Sequence, residues 1–404
     1  MHKQLIIRHL SVLSLLLSAI TASATDSDER RPLFLTTKID VGTMANTNDF
    51  LDGVNAHQMK MKNFSAYTLG VGWQTTGRKD WEHIHNFPSF GVAVYTATLD
   101  NKAEIGRPYS VFGFYNGTMW RKGRSAIKYN IDMGVAFNWK CYDKYTNPYN
   151  ITIGSPATVH IGLGVEYRYS LDNLSFAIGY NATHFSNGAV RKPNKGLNML
   201  SPFVKIAYSP RKYSLPELKT GFGRLKGHEV LATFGFGIKR YECDTVAHPE
   251  VRDLPGKEFQ MGSKFTVGTL QLEYLRTYGH KGRWGGGLSI VYDNWLGSDI
   301  RITGNDVTTI NGPASKRYTV GLFLAHELCI DRLSVVTQLG RYIHQPSGVS
   351  QKKKDLFERA GVKYTLPFNV FAGLNIYAHS FTKADFIEWN VGYRLPWGEK
   401  VKSK

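Results

Sequence analysis

The chain has 404 residues, enough for one large domain or two small ones, and its 50 Lys and Arg against 32 Asp and Glu give a formal charge of +18. It holds 40 Gly, 22 Tyr, 22 Phe and 8 Trp but only 3 Cys. Cys141, Cys243 and Cys329 are far apart, without a CxxC or a metal-ligand spacing, so at most one pair could form and no disulfide framework or metal site is indicated.

Residues 1–24 read as a secretory signal. Lys3 and Arg8 form a basic start, Leu10 to Ala19 a short apolar core, and Ala22-Ser23-Ala24 a small-x-small cleavage site. No Cys follows that site, so a lipid anchor is not expected. No later segment approaches the roughly 20 apolar residues of a membrane-spanning helix. Export argues against nucleic acid as the partner of the positive charge. Anionic lipid headgroups and plain solubility charge remain open.

From Leu33 onward, runs with the strand period of two recur along the chain. Tyr67, Leu69, Val71 and Trp73 alternate with Thr68, Gly70 and Gly72. Ile127 to Trp139 and Val159 to Tyr169 repeat the pattern, with Lys128, Asn130, Asp132, Gly162, Gly164 and Glu166 on the opposite face. In the second half, Val230 to Ile238 and Ile387 to Trp397 do the same. A soluble sandwich would turn the apolar face to a core. Export, aromatic strand ends and small residues opposite them favour an outer-membrane antiparallel β-barrel, apolar outside and small or polar inside.

The count is about 16 strands, eight before Pro210 and eight after. The expected fold is all-β, one continuous transmembrane barrel, with two tandem eight-stranded barrels as the alternative. Residues 25–209 then form the first region, and residues 210–404 a second that completes or repeats the barrel. Long connections follow odd strands: Gly42 to Ala66, Lys140 to Ala157, Tyr241 to Lys264 and Trp295 to Arg317. Short ones follow even strands, such as Ser170 to Asn173 and Pro367 to Phe368. Long loops mark the outer side, so odd strands run outward. Leu163 to Ser186 has a faint echo in Ala360 to Ser380.

The stretch from Leu174 to Tyr208 stands apart. Phe176, Ile178, Tyr180, Ala182, His184 and Ser186 share one face of the seventh strand, at its outer end. After a loop with Pro193, Asn194 and Gly196, Asn198 lies on the same face of the next strand. A turn centred near Lys192 would set Ser186 opposite Asn198. A His and a Ser on an apolar wall suit chemistry on a lipid.

His184-Phe185-Ser186-Asn187-Gly188, followed by Lys192-Pro193-Asn194 and Gly196, resembles the signature of the PagL-like lipid A 3-O-deacylases, a family of outer-membrane barrels also described as acyloxyacyl hydrolases. The likeness is strongest over Thr158 to Tyr208. It implies a serine esterase without metal or organic cofactor, acting on lipid A of lipopolysaccharide from the lipid-facing wall. By position, Ser186 is the nucleophile, His184 the base, and Asn187 with Gly188 the oxyanion hole. The family's acidic third member falls on Asn198 here. An amide can orient an imidazole but cannot stabilise its cation as a carboxylate does. Glu166, on the inner face, and Asp172, in a turn at the other end, do not replace it.

Arg191, Lys192 and Lys195 are candidate ligands for lipid A phosphates, and Lys352 to Lys354 weaker ones. His379-Ser380 lacks the i, i+2 spacing, and His379 and His326 read as structural. Glu388 reads as a lumen charge paired with Arg394 or another base. The competing functional readings are a non-catalytic barrel (porin, transport or structural) and a phospholipase-type esterase.

Overall fold

The computed structural model describes residues 31–402 apart from 244–245, 247, 252–263, 305, 350, 352 and 380–382. The signal segment, Lys352 and Ser380 lie outside the described residues.

Strands β1 (Leu33–Met44), β2 (Asn63–Gln74), β3 (Ser89–Leu99), β4 (Gly106–Lys122), β5 (Ser125–Trp139), β6 (Ala157–Leu171), β7 (Leu174–Ser186) and β8 (Leu197–Tyr208) pair in chain order. β1 returns to β8, with Ile39 opposite Val204, and the ring closes. A second ring follows from β9 (Arg224–Lys239), β10 (Phe265–Gly279) and β11 (Gly282–Asp293). It continues through β14 (Tyr318–Ile330), β15 (Leu333–His344), β16 (Leu356–Thr365), β17 (Val370–His379) and β18 (Lys383–Lys402). β18 closes on β9, with Val391 opposite Phe234. Between β11 and β14 a separate hairpin, β12 (Asp299–Thr303) and β13 (Asp306–Ile310), stands in the long loop.

The expected single barrel of about 16 strands is therefore corrected: the chain forms two closed eight-stranded antiparallel barrels. The reason is the pairing of β8. It bonds back to β1, and residues 209–223 connect the barrels without joining either ring. Closure at eight strands leaves an interior that side chains can fill. Phe34, Tyr95, Phe112, Trp139, Phe185 and Met199 fill the first barrel, and Leu231, Phe323, Phe357, Phe371, Tyr377 and Phe386 the second.

Alternation decides what faces out. In β6, Leu163, Val165 and Tyr167 are exposed while Glu166 and Arg168 between them are buried. The outer faces of both barrels are apolar, and Tyr167, Tyr169, Tyr208, Tyr393 and Trp397 lie toward the short-turn ends. A bilayer solvates such a surface, with amphipathic rings at its boundary. Among the described residues no helix is long and apolar enough to cross a membrane, which says nothing of a β-barrel.

Many inward charges are paired, which offsets the cost of their burial. Glu166 holds Arg168 at 2.6 Å and also binds Lys205. Lys239 bridges Asp293 and Asp385 at 2.6 and 2.8 Å. Glu388 is a lumen charge, but its partner is Arg359 at 2.9 Å, while Arg394 binds Glu229 at 2.6 Å. His326 faces outward and shares a 2.8 Å hydrogen bond with the Tyr278 hydroxyl. His379 is buried inside the second barrel and lies 3.0 Å from the Tyr342 hydroxyl. Cys141, Cys243 and Cys329 form no disulfide.

The barrels touch at both ends. At the short-turn end, His85 Nε2–H donates to the Cys329 carbonyl oxygen at 2.8 Å. Burial and nearby Lys281 pull that imidazole down to about 4, so it stays neutral and keeps the donor. At the long-loop end the contact falls on the loop between β7 and β8.

Candidate active site

β7 ends in His184-Phe185-Ser186, and its pleat sorts the three. Phe185 points inward, fully buried, with its ring 5.2 Å from that of Trp139 and 5.0 Å from that of His160. By parity His184 and Ser186 share the outward face with the exposed Tyr180 and Ile178, but His184 is half-buried and Ser186 is only 6% exposed. The inward anchor fixes the backbone that carries the outward pair.

The sequence expectation set Ser186 opposite Asn198. The ladder instead pairs His184 with Asn198, and Phe185 with Leu197. The loop is centred on Arg191 rather than Lys192, which slides the register by two and preserves the face. This correction brings the side chains together. His184 Nδ1–H donates to Asn198 Oδ1 at 2.7 Å. That bond fixes the tautomer and leaves Nε2 for the adjacent serine. Glu166 is inside the barrel and Asp172 sits in the opposite turn with Lys212, so neither reaches the imidazole.

The loop from Asn187 to Gly196 is held from within and from two sides. The Asn187 side chain donates from Nδ2 to the Arg191 carbonyl at 2.9 Å, and its Oδ1 accepts the Arg191 N–H at 3.4 Å. Its amide is thus committed to the turn. Its main-chain N–H points at Asn194 Oδ1, 3.4 Å away. Gly188 and Ala189 follow in left-handed conformations, φ 58° and 64°. At the far end, the N–H groups of Lys195 and Gly196 donate to Ile151 and Thr152 carbonyls of the β5–β6 loop, each at 3.0 Å. Gly196 has φ 76°, and a Cβ there would stand 3.0 Å from His184 Cε1 and 3.5 Å from Ser186 Cβ. The glycine of the motif is thus the floor of the dyad, a role its spacing alone did not reveal.

Of the three expected phosphate ligands, Arg191 is exposed. Lys192 and Lys195 reach Glu242 of the second barrel at 3.9 and 3.7 Å. Burial holds the Lys192 ammonium below the usual lysine range, and Glu242 opposes that shift. In the other loop, Lys353 is buried against Asp293 at 2.7 Å, and Lys354 is exposed. Glu242 carried no sequence signal, since it is remote in the chain. Among the described residues no group of three or more His, Cys, Asp or Glu could hold a metal ion.

An imidazole with Nδ1 engaged, and a serine two residues on along the same strand face, is the arrangement that can activate a hydroxyl toward an ester carbonyl once Nε2 reaches it. Comparison with known proteins agrees with this chemistry. Residues 67–207 match the family model "Lipid A 3-O-deacylase (PagL)", and residues 228–397 match "Acyloxyacyl hydrolase, C-terminal domain". No curated protein sequence matches the chain. Among solved structures, the outer membrane enzyme PagL is 15% identical, with 42% of this chain and 97% of that chain covered and a TM-score of 0.30. The alcaligin outer membrane receptor FauA from Bordetella pertussis is 8% identical over 90% of this chain and 76% of its own, with a TM-score of 0.23. The siderophore receptor PirA from Pseudomonas aeruginosa is 10% identical over 93% and 81%, again at 0.23. These superpositions are too loose to add to the fold described above. The two family models take one barrel each, and the chain belongs to the PagL-like acyloxyacyl hydrolase family.

Proposed function

We propose that the first barrel is a serine esterase that removes an ester-linked acyl chain from lipid A in the outer leaflet of the outer membrane. The observation that carries this reading is the 2.7 Å bond from His184 to Asn198 on the lipid-facing wall, with Ser186 next on the same face. A barrel that merely kept the family fold would have no need of an oriented imidazole there.

In this mechanism Ser186 Oγ attacks the ester carbonyl while His184 Nε2 takes its proton. The tetrahedral oxyanion collapses, the C–O bond to the sugar alkoxide breaks, and His184 returns the proton to that leaving oxygen. Water, activated by the same nitrogen, then releases the fatty acid from Ser186. The Gly188 main-chain N–H, and the Asn187 N–H once it is released from Asn194, would be the oxyanion donors, with the Asn187 amide holding the turn in shape. Asn198 orients the imidazole without adding charge, so the imidazolium is less stabilised than beside a carboxylate. Arg191, Lys192 and Lys195 are the cations of the adjoining loop that would meet phosphates of the glucosamine headgroup, Lys192 and Lys195 by exchanging Glu242 for them.

The test is fatty-acid release by the purified full-length protein from lipid A and, separately, from phospholipid vesicles. Release from lipid A, lost in Ser186→Ala, supports the reading. Release from phospholipid alone would favour a phospholipase-type esterase, and release from neither would favour a non-catalytic barrel.

A further inference from the structure

We propose that the second barrel positions the loop following the nucleophile, so that the ester-hydrolase site is built across the seam between the barrels. This rests on the first barrel being the esterase. It gives the second barrel, which presents no His-x-Ser on its own outer wall among the described residues, a part in the same reaction.

Two different partners hold the two parts of the loop. Its later residues, Lys195 and Gly196, hang on the β5–β6 loop of the first barrel. Its earlier residues, which carry the oxyanion donors, meet the second barrel. The Arg240 main-chain N–H, just beyond β9, donates to the Ala189 carbonyl at 2.8 Å. Gly188 lies flat against Ile387 of β18: a Cβ on it would fall 2.4 Å from Ile387 Cγ1. Glu242 then bridges toward Lys192 at 3.9 Å and Lys195 at 3.7 Å.

These contacts fall where the loop is least able to hold itself. Ala189 is a non-glycine residue at φ 64°, a conformation that persists only when its surroundings over-determine it. The Arg240 donor fixes the 189–190 peptide plane, whose N–H turns back to the Asn187 carbonyl at 3.3 Å. Ile387 blocks the other side. Removing either contact frees the turn, and with it the direction of the donors beside Ser186. Oxyanion donors act by being preplaced, so their loss lowers kcat more than it weakens substrate binding. Arg240, Glu242 and Ile387 are positioning residues; none needs to touch the reacting atoms.

The experiment uses the full chain in detergent–lipid A micelles. Arg240→Pro deletes the donating N–H, Arg240→Ala keeps it, and Ile387→Ala empties the space against Gly188. Folding is checked by the heat-dependent shift of the barrels in gel electrophoresis. Two quantities are read: kcat and KM for acyl release, and the rate at which a fluorophosphonate labels Ser186. In folded Arg240→Pro and Ile387→Ala we expect kcat to fall about tenfold or more with KM changed less than about twofold, labelling to slow in parallel, and Arg240→Ala to stay well above Arg240→Pro. Wild-type kcat in folded Ile387→Ala together with equal rates for the two Arg240 variants would overturn the proposal. If Arg240→Pro fails to fold, Ile387→Ala decides alone. A wild type that neither labels nor hydrolyses would overturn the esterase reading itself, and the seam proposal with it.

Discussion

Asn198 stands where the family places an acid, and its replacement is the sharpest probe of the site. Its Oδ1 accepts from His184 Nδ1–H at 2.7 Å, while its main-chain carbonyl separately accepts the Ala45 N–H at 2.9 Å. Asn198→Ala removes the first bond and spares the second, so the strand stays in register. A neutral side-chain hydrogen bond is worth about 1 kcal/mol net, and more when its loss also frees a tautomer. Asn198→Ala should therefore lower kcat by about 5- to 50-fold, or about 1–2 kcal/mol. Asn198→Asp substitutes a charge-assisted bond, roughly twice as strong, and stabilises the imidazolium that forms as the serine proton is taken. It should raise kcat by about fivefold, or about 1 kcal/mol. The assay is initial-rate fatty-acid release from lipid A in mixed micelles, at matched folded protein. Asn198→Ala within about twofold of wild type, or Asn198→Asp falling as far as Asn198→Ala, would refute the claim that this bond orients the base.

Two further outcomes follow from the geometry. Gly196→Ala forces a side chain at φ 76° and sets its Cβ 3.0 Å from His184 Cε1. We expect a backbone penalty of about 1–2 kcal/mol and a kcat loss exceeding any rise in KM; kinetics equal to wild type would show that the glycine does not shape the dyad. At the short-turn end, Glu82 is fully buried on α1 (Asp80–Ile84); burial works against its charge, but Arg31 and the Gly77 and Arg78 N–H groups outweigh that and hold its carboxyl below the ordinary glutamate value of 4.5. A depressed folded pKa gives stability that is present above about 4.5 and lost as pH falls through the folded value. Wild type should therefore melt higher than Glu82→Gln at pH 7, and that gap should narrow on acidification below about 4.5. A gap that widens or stays constant in melting experiments would contradict the assignment.

Much of the fold was legible because alternation is a local property. Each strand announces its own faces, and the division into eight strands on either side of Pro210 matches the two rings. Closure was not legible. One large barrel and two small ones carry the same local pattern and differ only in whether β8 bonds to β9 or back to β1. The filled interiors, with Phe185 and Phe357 among them, give the physical reason for the narrow solution.

The site was half legible. The face shared by His184, Ser186 and Asn198 follows from parity, which survives any even slip in register. The slip itself, which puts His184 rather than Ser186 against Asn198, depends on where the loop centre lies. Lys192 and Lys195 showed their charge but not their partner. Glu242 and Ile387 are far away in sequence and become neighbours of the loop after Ser186 only when two separate barrels meet.

The central claim is that Ser186 performs the chemistry on lipid A. Its most direct test is mass spectrometry of lipid A from cells expressing wild type or Ser186→Ala, at matched outer-membrane levels of folded protein. The account predicts loss of one ester-linked acyl chain with wild type and intact lipid A with the variant. Deacylated lipid A in both, or intact lipid A in both, would contradict it.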